Sequence, residues 1–214
     1  MLLDYARYKD RSDTTYMKGF FEDMLRLPFD RLEIADLYVQ YLLYREASPD
    51  TIMPVLEIIL ELEPENRSAL LQMLVFAIER NDYEEVIRCS DNAILYIPDM
   101  LELYYYKGIA SYLLGKKQEC TGIYELGLSR RSEECTPELV AKVFSVLGDT
   151  YHELEMMDKC MEVYDSALVY NPSEISVLNN YAYYLSLEGK QLERALEMSA
   201  KTLGMEPDNA IYID

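Results

Sequence analysis

Tryptophan is absent from the 214 residues, histidine occurs once, and glycine and proline number only eight each. So little Gly and Pro excludes long disordered or loop-rich stretches. No run of 18 apolar residues exists, which excludes a spanning helix. Residues 1–10 (MLLDYARYKD) carry neither the basic leader nor the apolar block of a signal peptide. Cations are also scarce. Lys and Arg total 20 against 39 Asp and Glu, a net charge of −19. That charge repels nucleic-acid phosphates and anionic lipid head groups, and it favours a partner with basic or apolar patches.

Cysteine is limited to Cys89, Cys120, Cys135 and Cys160, with no CxxC pair, and His152 has no metal partner at ligand spacing. No cofactor or metal is implied. Three of the four cysteines fall on helix faces that want small buried residues, so they are expected to be free core thiols. Catalytic signatures are missing too. There is no GxGxxG, no GxxxxGK[ST], no HExxH and no GxSxG. Adjacent acids such as Glu84-Glu85 and Glu133-Glu134 point about 100° apart on a helix, so they serve solvated faces rather than one shared site. The chain is expected not to be an enzyme.

What the sequence does contain is a repeat. Pro28, Pro64, Pro98, Pro137, Pro172 and Pro207 are spaced 36, 34, 39, 35 and 35 residues apart. Aligned on these prolines, residues 141–174 give the clearest unit: Phe144, Leu147-Gly148, Tyr151, Cys160, Tyr164, Ala167 and Pro172. Residues 67–100 supply Leu70, Ala77, Tyr83, Val86, Ala93 and Pro98. Residues 101–134 supply Tyr104, Gly108, Gly115, Cys120, Tyr124 and Gly127, followed by an insertion. Residues 175–208 supply Leu178, Tyr181-Ala182, Gly189, Ala195 and Pro207, and residues 33–66 supply Ile52, Leu56, Ile59 and Pro64. Each unit reads as a helix, a tight turn served by Gly115, Gly189 or Asn81, and a second helix that a proline ends. A single pair cannot bury its apolar face, so neighbours must stack.

This pattern resembles the tetratricopeptide repeat. In that family a 34-residue unit carries a large residue at position 4, Leu-Gly at 7–8, Tyr at 11, small residues at 20 and 27, an aromatic at 24 and Pro at 32. The resemblance implies an all-α, right-handed superhelix of stacked antiparallel helix pairs. It divides the chain into a partial repeat at 1–32, full repeats at 33–66, 67–100, 101–140 (with an inserted loop near 129–137), 141–174 and 175–208, and the start of a further helix at 209–214. Within the partial repeat, residues 1–11 read as the tail of a first helix and residues 14–27 as its partner. The acidic, Tyr-rich units and the stretch at 179–185 (NNYAYYL) resemble bacterial members, particularly those of Bacteroides relatives, many of them exported or lipid-anchored. The compartment stays open: cytoplasmic, or periplasmic or lipid-anchored where an export signal is present.

The resemblance also implies a binding groove lined by positions 2, 5, 9 and 12 of each first helix. By phase these are Ile34, Leu37, Tyr41 and Tyr44; Ser68, Leu71, Val75 and Ile78; and Glu102, Tyr105, Ile109 and Tyr112. The last two sets are Lys142, Ser145, Asp149 and His152, then Ser176, Asn179, Tyr183 and Ser186. The lining runs from apolar and aromatic to polar. His152 falls at position 12, as a contact residue rather than a base. The family's clamp for acidic peptide tails needs Lys, Asn and Arg at inner positions, and only Lys142 and Asn179 fit. A segment with apolar anchors suits the lining better. The expected activity is therefore a protein-binding scaffold. Two alternatives stand beside it: an accessory region of a larger enzyme or envelope-associated protein, and a structural module that self-associates weakly through its ends.

Overall fold

The computed structural model describes residues 14–27 and 30–207. The expectations for residues 1–11 and 209–214 lie outside these. Among the described residues there are eleven helices and no strand. They are α1 (Thr14–Leu25), α2 (Arg31–Tyr44), α3 (Pro49–Leu62), α4 (Arg67–Glu79), α5 (Tyr83–Tyr96), α6 (Leu101–Leu113), α7 (Lys117–Arg130), α8 (Pro137–Glu153), α9 (Met157–Tyr170), α10 (Ile175–Leu187) and α11 (Leu192–Met205). The chain divides into two compact units, Met1–Tyr96 with α1–α5 and Ile97–Asp214 with α6–α11.

Each unit is a stack of helix pairs. In the first unit α2 packs on α3 and α4 on α5, with α1 against α2 and α3 against α4. In the second, the pairs are α6/α7, α8/α9 and α10/α11, joined by α7 against α8 and α9 against α10.

Every first helix of a pair ends in the same way. Glu46, Asn81, Gly115, Glu155 and Gly189 all take positive φ, and each is the second residue after its helix. In α8, for example, the Glu155 N–H donates to His152 O and the Met156 N–H to Tyr151 O, each at 2.9 Å. This double bond pattern satisfies the last free carbonyls and reverses the chain. Glycine adopts that backbone without a Cβ penalty, whereas Glu46 and Glu155 carry the penalty and gave no sequence signal.

These turn residues also reset the register. They place the first helix of the first full repeat one residue earlier than the proline phase does, because an extra residue lies in the turn before Pro49. The buried set Ile34, Ala35, Tyr38, Val39, Tyr41 and Leu42 on α2 then matches Ala69, Leu70, Met73, Leu74, Phe76 and Ala77 on α4. A second departure concerns the insertion after α7. Part of it becomes helix, since α8 starts at Pro137, with the Thr136 hydroxyl accepting from the Leu139 N–H at 3.4 Å. A Thr cap followed by Pro in the first turn is a strong helix start.

The core of the second unit depends on glycine meeting tyrosine. Gly108 and Gly148, at position 8, lie against the rings of Tyr124 and Tyr164, at position 24 of the partner helix; a Cβ on either glycine would overlap the ring. Gly127 sits beneath Tyr104, where a Cβ would come within 2.5 Å of Tyr104 Cβ. In the α4/α5 pair of the first unit the sizes are exchanged, with Leu74 at position 8 and Ser90 at position 24, both buried. One large and one small partner fill the same space.

Cys89, Cys120 and Cys160 are buried free thiols, and Cys135 is half-buried between α7 and α8. Burial raises all four, with Cys89 and Cys160 pushed up to about 12. Thiolate is the reactive form, so the core thiols are inert at neutral pH. A thiol-exchange reagent is expected to modify Cys135 quickly and the other three only on unfolding. Rapid labelling of a second cysteine would show that a core thiol is reached.

Candidate functional site

In the second unit the first helices α6, α8 and α10 touch one another as well as their own partners. A row of side chains therefore shares one face. From α6 come Tyr105, Ile109 and Tyr112, all half-buried. From α8 come Lys142, which is exposed, and the half-buried Asp149 and His152. From α10 come half-buried Asn179 and Tyr183, the latter 57% exposed.

Polar bonds tie these helices together. The Tyr112 hydroxyl donates to Glu153 Oε1 at 2.5 Å, and Lys117 Nζ lies 2.9 Å from Glu153 Oε2. The bond to Glu153 pushes Tyr112 up to about 12, and the same bond, with that from Lys117, lowers the Glu153 carboxyl. Asp149 Oδ1 accepts from the Tyr164 hydroxyl and from Asn180 Nδ2, the latter at 2.9 Å. The Ser145 and Ser176 hydroxyls lie 3.2 Å apart. His152 stacks on Tyr184, with ring centroids 3.7 Å apart and planes 7° from parallel. One face of the imidazole is therefore covered by the Tyr184 ring.

Between α6 and α8 lies a pocket of about 200 Å³ lined by Ile109, Tyr112, Leu113, Tyr124, Val146, Asp149 and Thr150. Three positions singled out from the sequence, Ile109, Tyr112 and Asp149, thus meet in one cavity. Leu113, Tyr124, Val146 and Thr150 complete it and were not among the expected contacts; they lie off the inner positions and close the space only when α6 and α8 pack. Glu153 and Tyr184 were missed for the same reason.

In the first unit the face differs from expectation. Ile34 and Tyr41 are buried, Tyr41 at 4% exposure with its ring 5.5 Å from that of Phe21. They are core side chains, a consequence of the one-residue register shift. The inner positions of α2 instead carry Glu33, Asp36, Gln40 and Leu43, while Leu37 is half-buried and Tyr44 is 59% exposed. On α4, Leu71 is half-buried and Val75 is 44% exposed. Burial, and then Glu63, raise the Asp36 carboxyl. The apolar stretch expected at the start of the face is acidic in α2.

Among the described residues no three His, Cys, Asp or Glu side chains converge as metal ligands. No described helix is long and apolar enough to cross a membrane.

No protein-family model matches the chain, nor does any curated protein. Solved structures do. A MamA from Desulfovibrio magneticus RS-1 matches with a TM-score of 0.64 at 19% identity, over 85% of this chain and 98% of that one. YrrB, described as "a TPR protein with an unusual peptide-binding site", matches with a TM-score of 0.67 at 13% identity, over 90% and 95% of the two chains. PilF from Pseudomonas aeruginosa gives 0.64 at 14% identity, over 99% and 93%. At such identities the likeness is one of fold.

Proposed function

Because this chain has the tetratricopeptide-repeat fold, we propose that it is a non-catalytic scaffold that holds a protein segment on the face of its first helices. One observation carries the reading: Tyr105, Ile109 and Tyr112 form a continuous half-buried row on α6, beside a pocket of about 200 Å³. Tyrosine gives large contact area at low entropic cost and keeps a hydroxyl for bonding. The comparison with YrrB supports the peptide mode. The net charge of −19 supports a basic or apolar partner and opposes nucleic acid. The sole imidazole, that of His152, is stacked on Tyr184, which suits a contact surface.

Tyr105→Ala with Tyr112→Ala is expected to weaken capture of a bound segment by tenfold or more, on the order of aromatic hot-spot losses. Pull-down of partners by wild type and double variant reads this directly. Retention of every partner would place the binding surface elsewhere.

A second reading, self-association, has one observation in its favour. On α11, Leu192, Leu196 and Leu203 are 57%, 71% and 40% exposed, whereas their equivalents on α9, Met157, Met161 and Leu168, pack against the core. Sedimentation across a concentration series separates the two readings, and a strict monomer ends the second.

A further inference from the structure

The geometry points to a lysine side chain as the occupant of the pocket between α6 and α8, its aliphatic stem against Ile109, Leu113 and Val146 and its ammonium at Asp149. The inference rests on the first-helix face being the binding face and names the chemistry of one anchor on it.

Size comes first. A cavity of about 200 Å³ falls below the range of about 300–1,000 Å³ typical of small-molecule sites and suits one long side chain. Chemistry comes second. Asp149 is the single charged residue in the lining, and the side chains around it are mostly aliphatic or aromatic. Both of its hydrogen bonds, from Tyr164 and Asn180, fall on Oδ1. They hold the carboxylate in place without neutralising it, because both donors are uncharged. Oδ2 is the oxygen left for a ligand.

A purely apolar anchor would strip water from Asp149 and return no partner, which is costly for a carboxylate. An arginine prefers two parallel bonds to both carboxylate oxygens, and Oδ1 is already doubly engaged. An ammonium is a point charge on a long apolar stem, and it fits a narrow apolar slot with one acceptor. Glu153 follows Asp149 by one helical turn but is already paired with Lys117. The overall charge of −19 draws a basic segment towards the surface before any contact forms.

The test uses the full chain, isotope-labelled for amide NMR, titrated with the peptide Ac-Ser-Leu-Lys-Leu-Ser-NH2 and with its counterpart carrying norleucine in place of lysine. The lysine peptide is expected to move the amides of Ile109, Val146 and Thr150 and to bind about fivefold more tightly than the norleucine peptide. Asp149→Asn is expected to erase that preference, because the charge that favours lysine and the desolvation cost that disfavours norleucine are both removed. Equal affinity for the two peptides overturns the lysine assignment and leaves the binding face standing, as do shifts confined to other residues of α6, α8 and α10. No shifts on any of these helices overturn both. If Asp149→Asn disturbs the fold, Val146→Phe fills the pocket and spares the hydrogen bonds of Asp149. Persistence of the lysine preference in that variant defeats the proposal.

Discussion

Between about pH 10 and about pH 12 the chain is expected to unfold cooperatively, with tyrosine ionisation and loss of helix occurring together. The cause is the number of tyrosines buried in the neutral form. Tyr38, Tyr124, Tyr151, Tyr164 and Tyr181 are each 3% exposed or less, and burial is the first cause raising each of them. Hydrogen bonds to carboxylates add to the effect for Tyr151, with Glu125, and for Tyr164, with Asp149. The sign follows from linkage. A phenol raised in the fold contributes its full stability below the unfolded value of about 10, and loses it as the pH climbs towards the folded value. Each such group loses about 1.4 kcal/mol per pH unit in that window. The three raised furthest, Tyr124, Tyr151 and Tyr164, together lose ~4 kcal/mol per unit, against a typical total stability of about 5–15 kcal/mol. Tyrosinate absorbance and far-ultraviolet circular dichroism, followed across the same titration, check this. Full ionisation of the tyrosines with helix retained would show that the rings are not held neutral by the core.

The second large effect is a steric one with a built-in rescue. Gly148→Leu drives a side chain into the Tyr164 ring, which is pinned by Asp149 on one side and by Tyr181, 5.4 Å away between centroids, on the other. Overpacking of this kind costs about 1–3 kcal/mol or more. Tyr164→Ser alone empties the space of a fully buried ring, at about 3–5 kcal/mol. The double variant reproduces the Leu74 and Ser90 pairing of the α4/α5 pair. It is expected to be more stable than the sum of the two single losses by at least about 1 kcal/mol. Thermal midpoints report this at about 2–4 °C per kcal/mol for a chain of this size. Additive losses would mean that positions 8 and 24 do not share one space. The rescue stops short of wild type, because Asp149 loses the tyrosine hydroxyl that orients it.

The residues of these helix pairs were unequally visible in the sequence. Leu147-Gly148, Tyr164 and Ala167 announced their helix pair because each slot tolerates few side chains: a small residue where helices approach, and a ring where a gap must be filled. The turn residues were half visible. Gly115, Gly189 and Asn81 favour a left-handed backbone, whereas Glu46 and Glu155 adopt it only because the packed helices on either side demand the reversal. The assignment of Tyr41 to the binding face failed for a related reason. A proline at the end of the second helix sets the phase of that helix, but an extra residue in the intervening turn shifts the first helix by about 100°. That rotation exchanged Tyr41 with Gln40, and the periodicity of α2 alone does not reveal it.

The order of helices, their pairing with neighbours, the acidic surface and the lack of catalytic motifs were all determined by the sequence, since local propensity, apolar period and formal charge act within a few turns of the chain. The pocket between α6 and α8, the anchoring of Asp149 by Tyr164 and Asn180, and the stacking of His152 on Tyr184 were decided only in three dimensions. Each joins side chains separated by a helix or a whole repeat, and their distances depend on how closely the glycines let the helices approach.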